Sequence, residues 1–124
     1  MKDLDLNSLC MAPITNKPGQ SGIFAKRKFD ANQTVLYLSG EVLHRPTRTS
    51  IQVAKNKHIE DKIGAFINHN CNPSCKIDGH KVIAIKEINV DDEVTFDYSD
   101  NETVMASPFI CSCCNKLISG SLPN

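Results

Sequence analysis

Short β-branched and apolar runs, each ended by turn residues, recur along the chain, and no stretch keeps the 3.6-residue spacing of an amphipathic helix for long. Lys17-Pro18-Gly19-Gln20-Ser21-Gly22 predicts a loop that delivers the chain into a strand at Ile23-Phe24-Ala25. Asp30-Ala31-Asn32-Gln33 predicts a turn before a strand from Thr34 to Leu38, and Gly40 permits a bend before Glu41-Val42-Leu43. Arg45 to Thr49 is polar and opens with Arg-Pro, as a loop does; Ile51-Gln52-Val53 alternates as a short strand. The charged run Lys55 to Lys62 predicts a turn or one loop of helix, and the apolar run Ile63 to Ile67 predicts burial. Lys76 to Ala84 carries Asp78-Gly79 near its centre, a hairpin signal. Asn89 to Glu93 predicts a further turn, before a strand from Val94 to Tyr98. The expected class is mainly β.

At 124 residues there is room for one domain, and 40% hydrophobic with 23% charged residues suits a globular chain rather than a disordered one. A core of this size stabilises a fold only marginally, so a bound cofactor, metal or partner would matter to stability. Fourteen basic and fourteen acidic side chains cancel, leaving no net field to steer the chain onto nucleic acid or an anionic membrane. Met1 to Leu9 alternates acidic and apolar residues, unlike a signal peptide, and no apolar run is long enough to cross a bilayer. These features predict a soluble, intracellular protein, cytoplasmic or nuclear. Six cysteines without a secretory signal favour thiols or a metal site over a disulfide framework. They cluster: Cys71 with Cys75, and Cys111 with Cys113 and Cys114.

Two polar segments bordered by apolar strands stand out. Asn68-His69-Asn70-Cys71-Asn72-Pro73-Ser74-Cys75 follows the apolar run, and Pro73 sets a turn within it. On its own it fits an Asx-rich turn with a structural histidine equally well. Thr95-Phe96-Asp97-Tyr98 ends a strand, where a tyrosine most often serves packing. Asp91, Asp92, Glu93, Asp97, Asp100 and Glu102 gather late in the chain with no base among them. They fit either a solvated turn and loop or a negative rim for a basic peptide. Lys26-Arg27-Lys28 fits an exposed strand end rather than a nucleic-acid patch.

Taken together, these segments resemble the SET methyltransferase family. Its G-x-G-[VI]-[FY]-A opening is matched by Gln20-Ser21-Gly22-Ile23-Phe24-Ala25, and its aromatic–x–x–Gly-Glu stretch by Tyr37-Leu38-Ser39-Gly40-Glu41. N-H-S-C-x-P-N is matched by Asn68-His69-Asn70-Cys71-Asn72-Pro73-Ser74. The closing block is matched by Ala84-Ile85-Lys86-Glu87-Ile88 and Asp92-Glu93-Val94-Thr95-Phe96-Asp97-Tyr98, and the post-SET F-x-C-x-C by Phe109-Ile110-Cys111-Ser112-Cys113. The resemblance implies an N-terminal segment at 1–16, a SET domain at 17–107 and a post-SET-like tail at 108–124.

The resemblance also implies small curved sheets with a pseudoknot, of β-clip type, and an S-adenosylmethionine-dependent protein-lysine methyltransferase acting on a lysine-bearing protein or peptide. Tyr98 would be the catalytic residue, orienting the reacting groups and helping keep the lysine amine uncharged. Gly22, Ile23, Phe24, Asn68, His69 and Phe109 would hold the cofactor, and Tyr37 and Phe96 would line the lysine channel. Phe96, lacking a hydroxyl, suggests di- or trimethylation. Cys71, Cys111 and Cys113 match metal ligands.

The chain departs from the pattern at Gln20 for the first glycine, Ser74 for the last asparagine, Ala65 for an arginine, and Ile118 for the third post-SET cysteine. The last leaves a tetrahedral zinc set one ligand short, with Cys114 or Cys75 as the remaining candidates, and makes bound zinc the less expected state. These departures keep open a catalytically silent module of the same fold that binds a protein partner or only the cofactor.

Overall fold

The computed structural model describes residues 8–14, 19–102, 105, 109–110, 115 and 117–118. The first sheet is built from β1 (Leu9–Pro13), β2 (Ser21–Ala25), β10 (Glu93–Phe96) and β7 (Asn68–His69), in that order. A second joins β3 (Thr34–Tyr37), β9 (Lys81–Ala84) and β8 (Cys75–Asp78); a third joins β4 (Glu41–Leu43), β6 (Lys57–Glu60) and β5 (Ile51–Ala54). A two-stranded ladder pairs β11 (Phe109–Ile110) with β12 (Leu117–Ile118). Among the described residues the helical elements are a 3-10 turn at Gly64–Phe66 and one turn of α-helix, α1 (Tyr98–Asn101). The architecture is mainly β, as the pattern of short runs predicts.

Every named pairing is antiparallel except one. β7 runs parallel to β10, with Asn68 opposite Thr95 and His69 opposite Phe96. This pairing sets the two polar segments side by side although 25 or more residues separate them in sequence. On the other edge of β10, Glu93 lies opposite Phe24 and Val94 opposite Ile23. Val94, Thr95 and Phe96 are all buried, because β10 is flanked on both sides and covered on both faces.

The core draws on the longer strands, with Leu9, Ile23, Ala25, Leu36, Ile51, Ile59, Val82 and Val94, joined by Phe29, Ile67 and Ile88. Phe29 and Ile88 form a bridge outside the named strands, with the Arg27 guanidinium 4.1 Å above the Phe29 ring. Lys26, Arg27 and Lys28 are exposed just past β2, as expected of a strand end.

Several boundaries differ from the sequence-based expectation. β2 starts at Ser21, so Ser21 and Gly22 belong to the strand rather than to the loop. Lys57–Glu60 is the central strand of the third sheet, not a turn or helix: His58 and Ile59 are buried, and both flanks pair. Only one residue of that strand is apolar, so hydrophobic periodicity does not reveal it. The hairpin between β8 and β9 forms as predicted, but its two loop residues are Gly79 and His80, with Gly79 at φ 60°. The run from Ile63 to Ile67 buries Gly64 and Ile67 but leaves Phe66 exposed. The strand expected to reach Tyr98 stops at Phe96, and Tyr98 opens α1. β1 has no counterpart in the expectation.

Gly40 lies at a bend, as expected, and serves a close approach as well. A Cβ there would stand 1.6 Å from the Glu60 carbonyl oxygen, so the chain crosses β6 where only glycine fits. Among the described residues no helix is long and apolar enough to cross a membrane.

Candidate active site

The site begins with the contact between β7 and the end of β10. His69 accepts a hydrogen bond at Nδ1 from the Tyr98 backbone N–H, 3.0 Å away. With that lone pair engaged, the proton of the neutral ring sits on Nε2, which lies 3.3 Å from Cys71 Sγ. Asp97 approaches the same Nδ1 at 3.6 Å; the shorter Tyr98 bond makes this a contact to a neutral ring rather than a charged pair. Tyr98 Oη in turn donates to the Ile67 carbonyl at 2.5 Å, so the residue is tied at both ends to the segment entering β7.

Four aromatic rings gather here. Tyr98 lies tilted on Phe96 with centroids 4.7 Å apart, and edge-on to His69 at 5.3 Å and to Phe109 at 6.0 Å. Phe109 also meets His69 edge-on at 5.7 Å, so the C-terminal ladder reaches the site. Burial, and then the charges of Glu102 and Glu93, push the Tyr98 hydroxyl well above the ordinary phenol range. It stays protonated and acts as a donor.

Asn68 is fastened by its amide nitrogen, which donates to the Ser21 carbonyl and to Glu93 Oε2, both at 2.9 Å. Its Oδ1 takes no hydrogen bond from a described residue. Gly22 makes room for this clip: a Cβ there would fall 2.6 Å from Glu93 Oε2 and 3.1 Å from Asn68 Nδ2. Ile23 is fully buried, so its backbone alone remains for a ligand, and Phe24 is half-buried on the next position of β2.

A cleft open to solvent is lined by Thr47 to Ser50, Gly64, Ala65, Phe96, Tyr98, Glu102 and Met105. Glu60 pins its outer wall by accepting from the Thr47 and Thr49 hydroxyls. Asp61 shapes its floor, accepting from the backbone N–H groups of Ser39, Ile63 and Gly64 at 2.7–2.9 Å. This carboxylate braces the turn that carries Ala65. Ser74 also finds a role: it exchanges hydrogen bonds with Thr95, Oγ with N–H at 3.0 Å and N–H with Oγ1 at 3.1 Å.

Glu102 overturns the expectation of a solvated acidic turn for its own position. It is 4% exposed and closes α1 with a backbone bond to the Tyr98 carbonyl at 2.8 Å. Its Oε2 accepts the Gln52 backbone N–H at 2.7 Å and the Asn101 amide at 2.9 Å, while Asn101 also donates to the Gln52 carbonyl at 2.9 Å. Two side chains thus cap the outer edge of β5 as a neighbouring strand would. Asp91 and Asp92 are exposed, whereas Glu93 belongs to the Asn68 clip.

The fold therefore gathers Asn68, His69, Phe96, Tyr98 and Phe109, with Gly22 against Asn68. Tyr37 stands 62% exposed on β3 and is not among the residues lining the cavity. Cys111, Cys113 and Cys114 lie outside the described residues. Among those described, no group of three His, Cys, Asp or Glu side chains could hold a metal ion. Cys75 packs in the core, where burial raises its thiol to about 11, and Ile118 is buried opposite Phe109. Sequence reasoning misses Glu60 and Asp61, and names Glu102 only within a run of acids. A signal existed for Glu102, four residues after Tyr98 and so on the same face of a helical turn.

The SET domain family model matches residues 20–99. Among curated proteins, a methyltransferase of Aspergillus flavus, flvH, is 35% identical over 88 residues, covering 62% of this chain and 48% of its own. A histone-lysine N-methyltransferase of Kluyveromyces lactis, H3 lysine-4 specific, is 25% identical over 123 residues, covering 74% of this chain and 12% of its own. One with the same description from Debaryomyces hansenii is 40% identical over 60 residues, covering 41% and 6%. The chain thus spans less than half the length of each of these relatives.

Proposed function

The chain belongs to the SET-domain family, and from that premise we propose that it transfers methyl groups from S-adenosylmethionine to the amine of a lysine side chain in a protein or peptide. The observation that carries the reading is Tyr98: a protonated phenol at a cavity wall, tied to the β7 segment by its backbone N–H and its hydroxyl.

The residues present fit an amino-acid-bearing cofactor. Asn68 Oδ1, open among the described residues, accepts from an ammonium group, and Glu93 beside it offsets that charge. The backbone of Gly22, Ile23 and Phe24 runs alongside, and the edge-on rings of His69 and Phe109 offer an apolar face. When bound, S-adenosylmethionine supplies a sulfonium methyl, which requires only an uncharged nucleophile held in line. Tyr98 orients that nucleophile, and Phe96 bounds the space around it without adding a hydroxyl, which suits more than one methyl addition. Tyr37, outside the cavity, is assigned to the approach of the substrate chain. Cys71 with Cys111 and Cys113 would form a structural zinc site only with a fourth ligand, and no step is routed through it.

Histones are the first substrates to try, because two relatives are named for histone H3. Incubation with labelled S-adenosylmethionine, mixed core histones and a cell lysate should place label on lysine, and Tyr98→Phe should abolish it. Cofactor binding by calorimetry with no label on any lysine would leave a silent binding module instead. Transfer unaffected by Tyr98→Phe would overturn the mechanism.

A further inference from the structure

Among the described residues the cavity wall contains one carboxylate, and only one of its oxygens is engaged. Glu102 Oε2 is held by the Gln52 backbone N–H and the Asn101 amide. Oε1 takes no hydrogen bond from a described residue, and Glu102 forms no ion pair with Arg48, the cation on the same wall. Two bonds to one oxygen fix the orientation of the other, on a side chain that is buried yet borders open space. A carboxylate fixed in this way beside Phe96 and Tyr98 is complementary to a cationic side chain entering between them.

We propose that Glu102 is the group that receives the substrate amine, pairing with its ammonium form and accepting its proton before methyl transfer. This rests on the methyl-transfer reading above. The bookkeeping closes: the ammonium N–H bond breaks and its pair stays on nitrogen, while the proton passes to Glu102 Oε1 to give a neutral carboxylic acid. The nitrogen lone pair then forms the bond to the sulfonium methyl, and the S–CH3 pair leaves on sulfur, neutralising the cofactor. The product is a methylammonium, and Glu102 returns its proton to solvent through the open cavity. Burial raises the Glu102 carboxyl above the ordinary range, which makes it a stronger base than an exposed carboxylate. Arg48 and Tyr98 share the cavity wall with it, His58 on β6 lies across from its partner Gln52, and Glu93 on β10 acts with it on Tyr98.

The test compares wild type, Glu102→Gln and Glu102→Asp with labelled S-adenosylmethionine and mixed core histones plus lysate across pH. Glu102→Gln keeps an oxygen for the Gln52 N–H. It should bind S-adenosylmethionine as wild type does in calorimetry, yet lose about a hundredfold in kcat near neutrality. Its rate should recover as rising pH deprotonates the amine in solution. Glu102→Asp should retain part of the activity with its acid limb displaced. Wild-type kcat and pH profile in Glu102→Gln would overturn the proposal while leaving methyl transfer intact. If Glu102→Gln fails to fold, an unchanged pH profile in Glu102→Asp does the same. An inactive wild type that binds cofactor removes the methyl-transfer reading itself, and this inference with it.

Discussion

The Tyr98 backbone N–H donates to Nδ1 of His69 across 3.0 Å, joining the first residue of α1 to the last residue of β7. A histidine ring that is almost wholly enclosed, with 2% of its side chain exposed, becomes the structural acceptor that ends β10 and starts a helical turn. The bond fixes the ring tautomer and places the Tyr98 hydroxyl on the Ile67 carbonyl. One interaction thereby positions the phenol and organises the segment that reaches Glu102.

Replacing His69 with alanine should leave the Tyr98 N–H without its acceptor and strip two edge-on ring contacts. A loss of about 1–3 kcal/mol is expected from the unpaired donor. Urea denaturation followed by circular dichroism measures it; a wild-type midpoint would show that the bond contributes nothing net.

Tyr98→Phe removes the donor to the Ile67 carbonyl but keeps the ring contacts with Phe96, His69 and Phe109. Stability should fall by about 1–3 kcal/mol while the fold persists. Parallel denaturation curves and cofactor calorimetry separate this cost from the loss of methyl transfer.

Gly22→Ala should drive a methyl group against Glu93 Oε2, Ile14 Cδ1 and Asn68 Nδ2, at 2.6, 2.8 and 3.1 Å. Overpacking of this kind costs about 1–3 kcal/mol. If Asn68 holds the cofactor, its affinity should weaken as well, and calorimetry on the folded variant reads that directly.

Gly40→Ala meets backbone rather than side chain, with the Glu60 carbonyl oxygen 1.6 Å from the new Cβ. Backbone cannot swing away, so a loss of more than about 4 kcal/mol is expected and soluble expression should collapse. A folded Gly40→Ala protein would show that β4 and β6 can separate.

His58 is 4% exposed, its Nδ1 has no hydrogen-bond partner among the described residues, and burial lowers its pKa below the ordinary 6.5. The unfolded chain therefore binds the extra proton first. Its contribution to stability is complete above pH 6.5 and declines as pH falls from there toward the folded-state value. His58→Leu should flatten that decline and remove the unpaired buried nitrogen; thermal melts between pH 7.5 and 5 compare the two.

The hairpin at Gly79 and the strands at Thr34 and Ile51 are legible because turn residues are local signals; that the Asn68-His69 and Phe96–Tyr98 segments serve one site is implied by the family resemblance, not by spacing. β6 is not legible. Its centre is His58-Ile59, and a buried histidine breaks the apolar alternation by which a strand is recognised. Glu102 stands within a run of acids that fits either a solvated turn or a negative rim for a basic peptide, and charge alone does not choose between them. Its burial follows from an edge strand 50 residues upstream that needs an acceptor.

The chain's own order of residues determines the mainly β class and the pieces of the site, since strand-forming runs, glycines and polar motifs act over a few neighbours. Tertiary structure alone decided that Gly22 clears space for an Asn68–Glu93 clip, that Asp61 holds the Ser39 backbone N–H, and that Glu102 leaves one oxygen at a cavity. Each of these depends on hydrogen bonds or close approaches between residues distant in sequence, and the energy of burying a polar atom is set by the partner it meets in space.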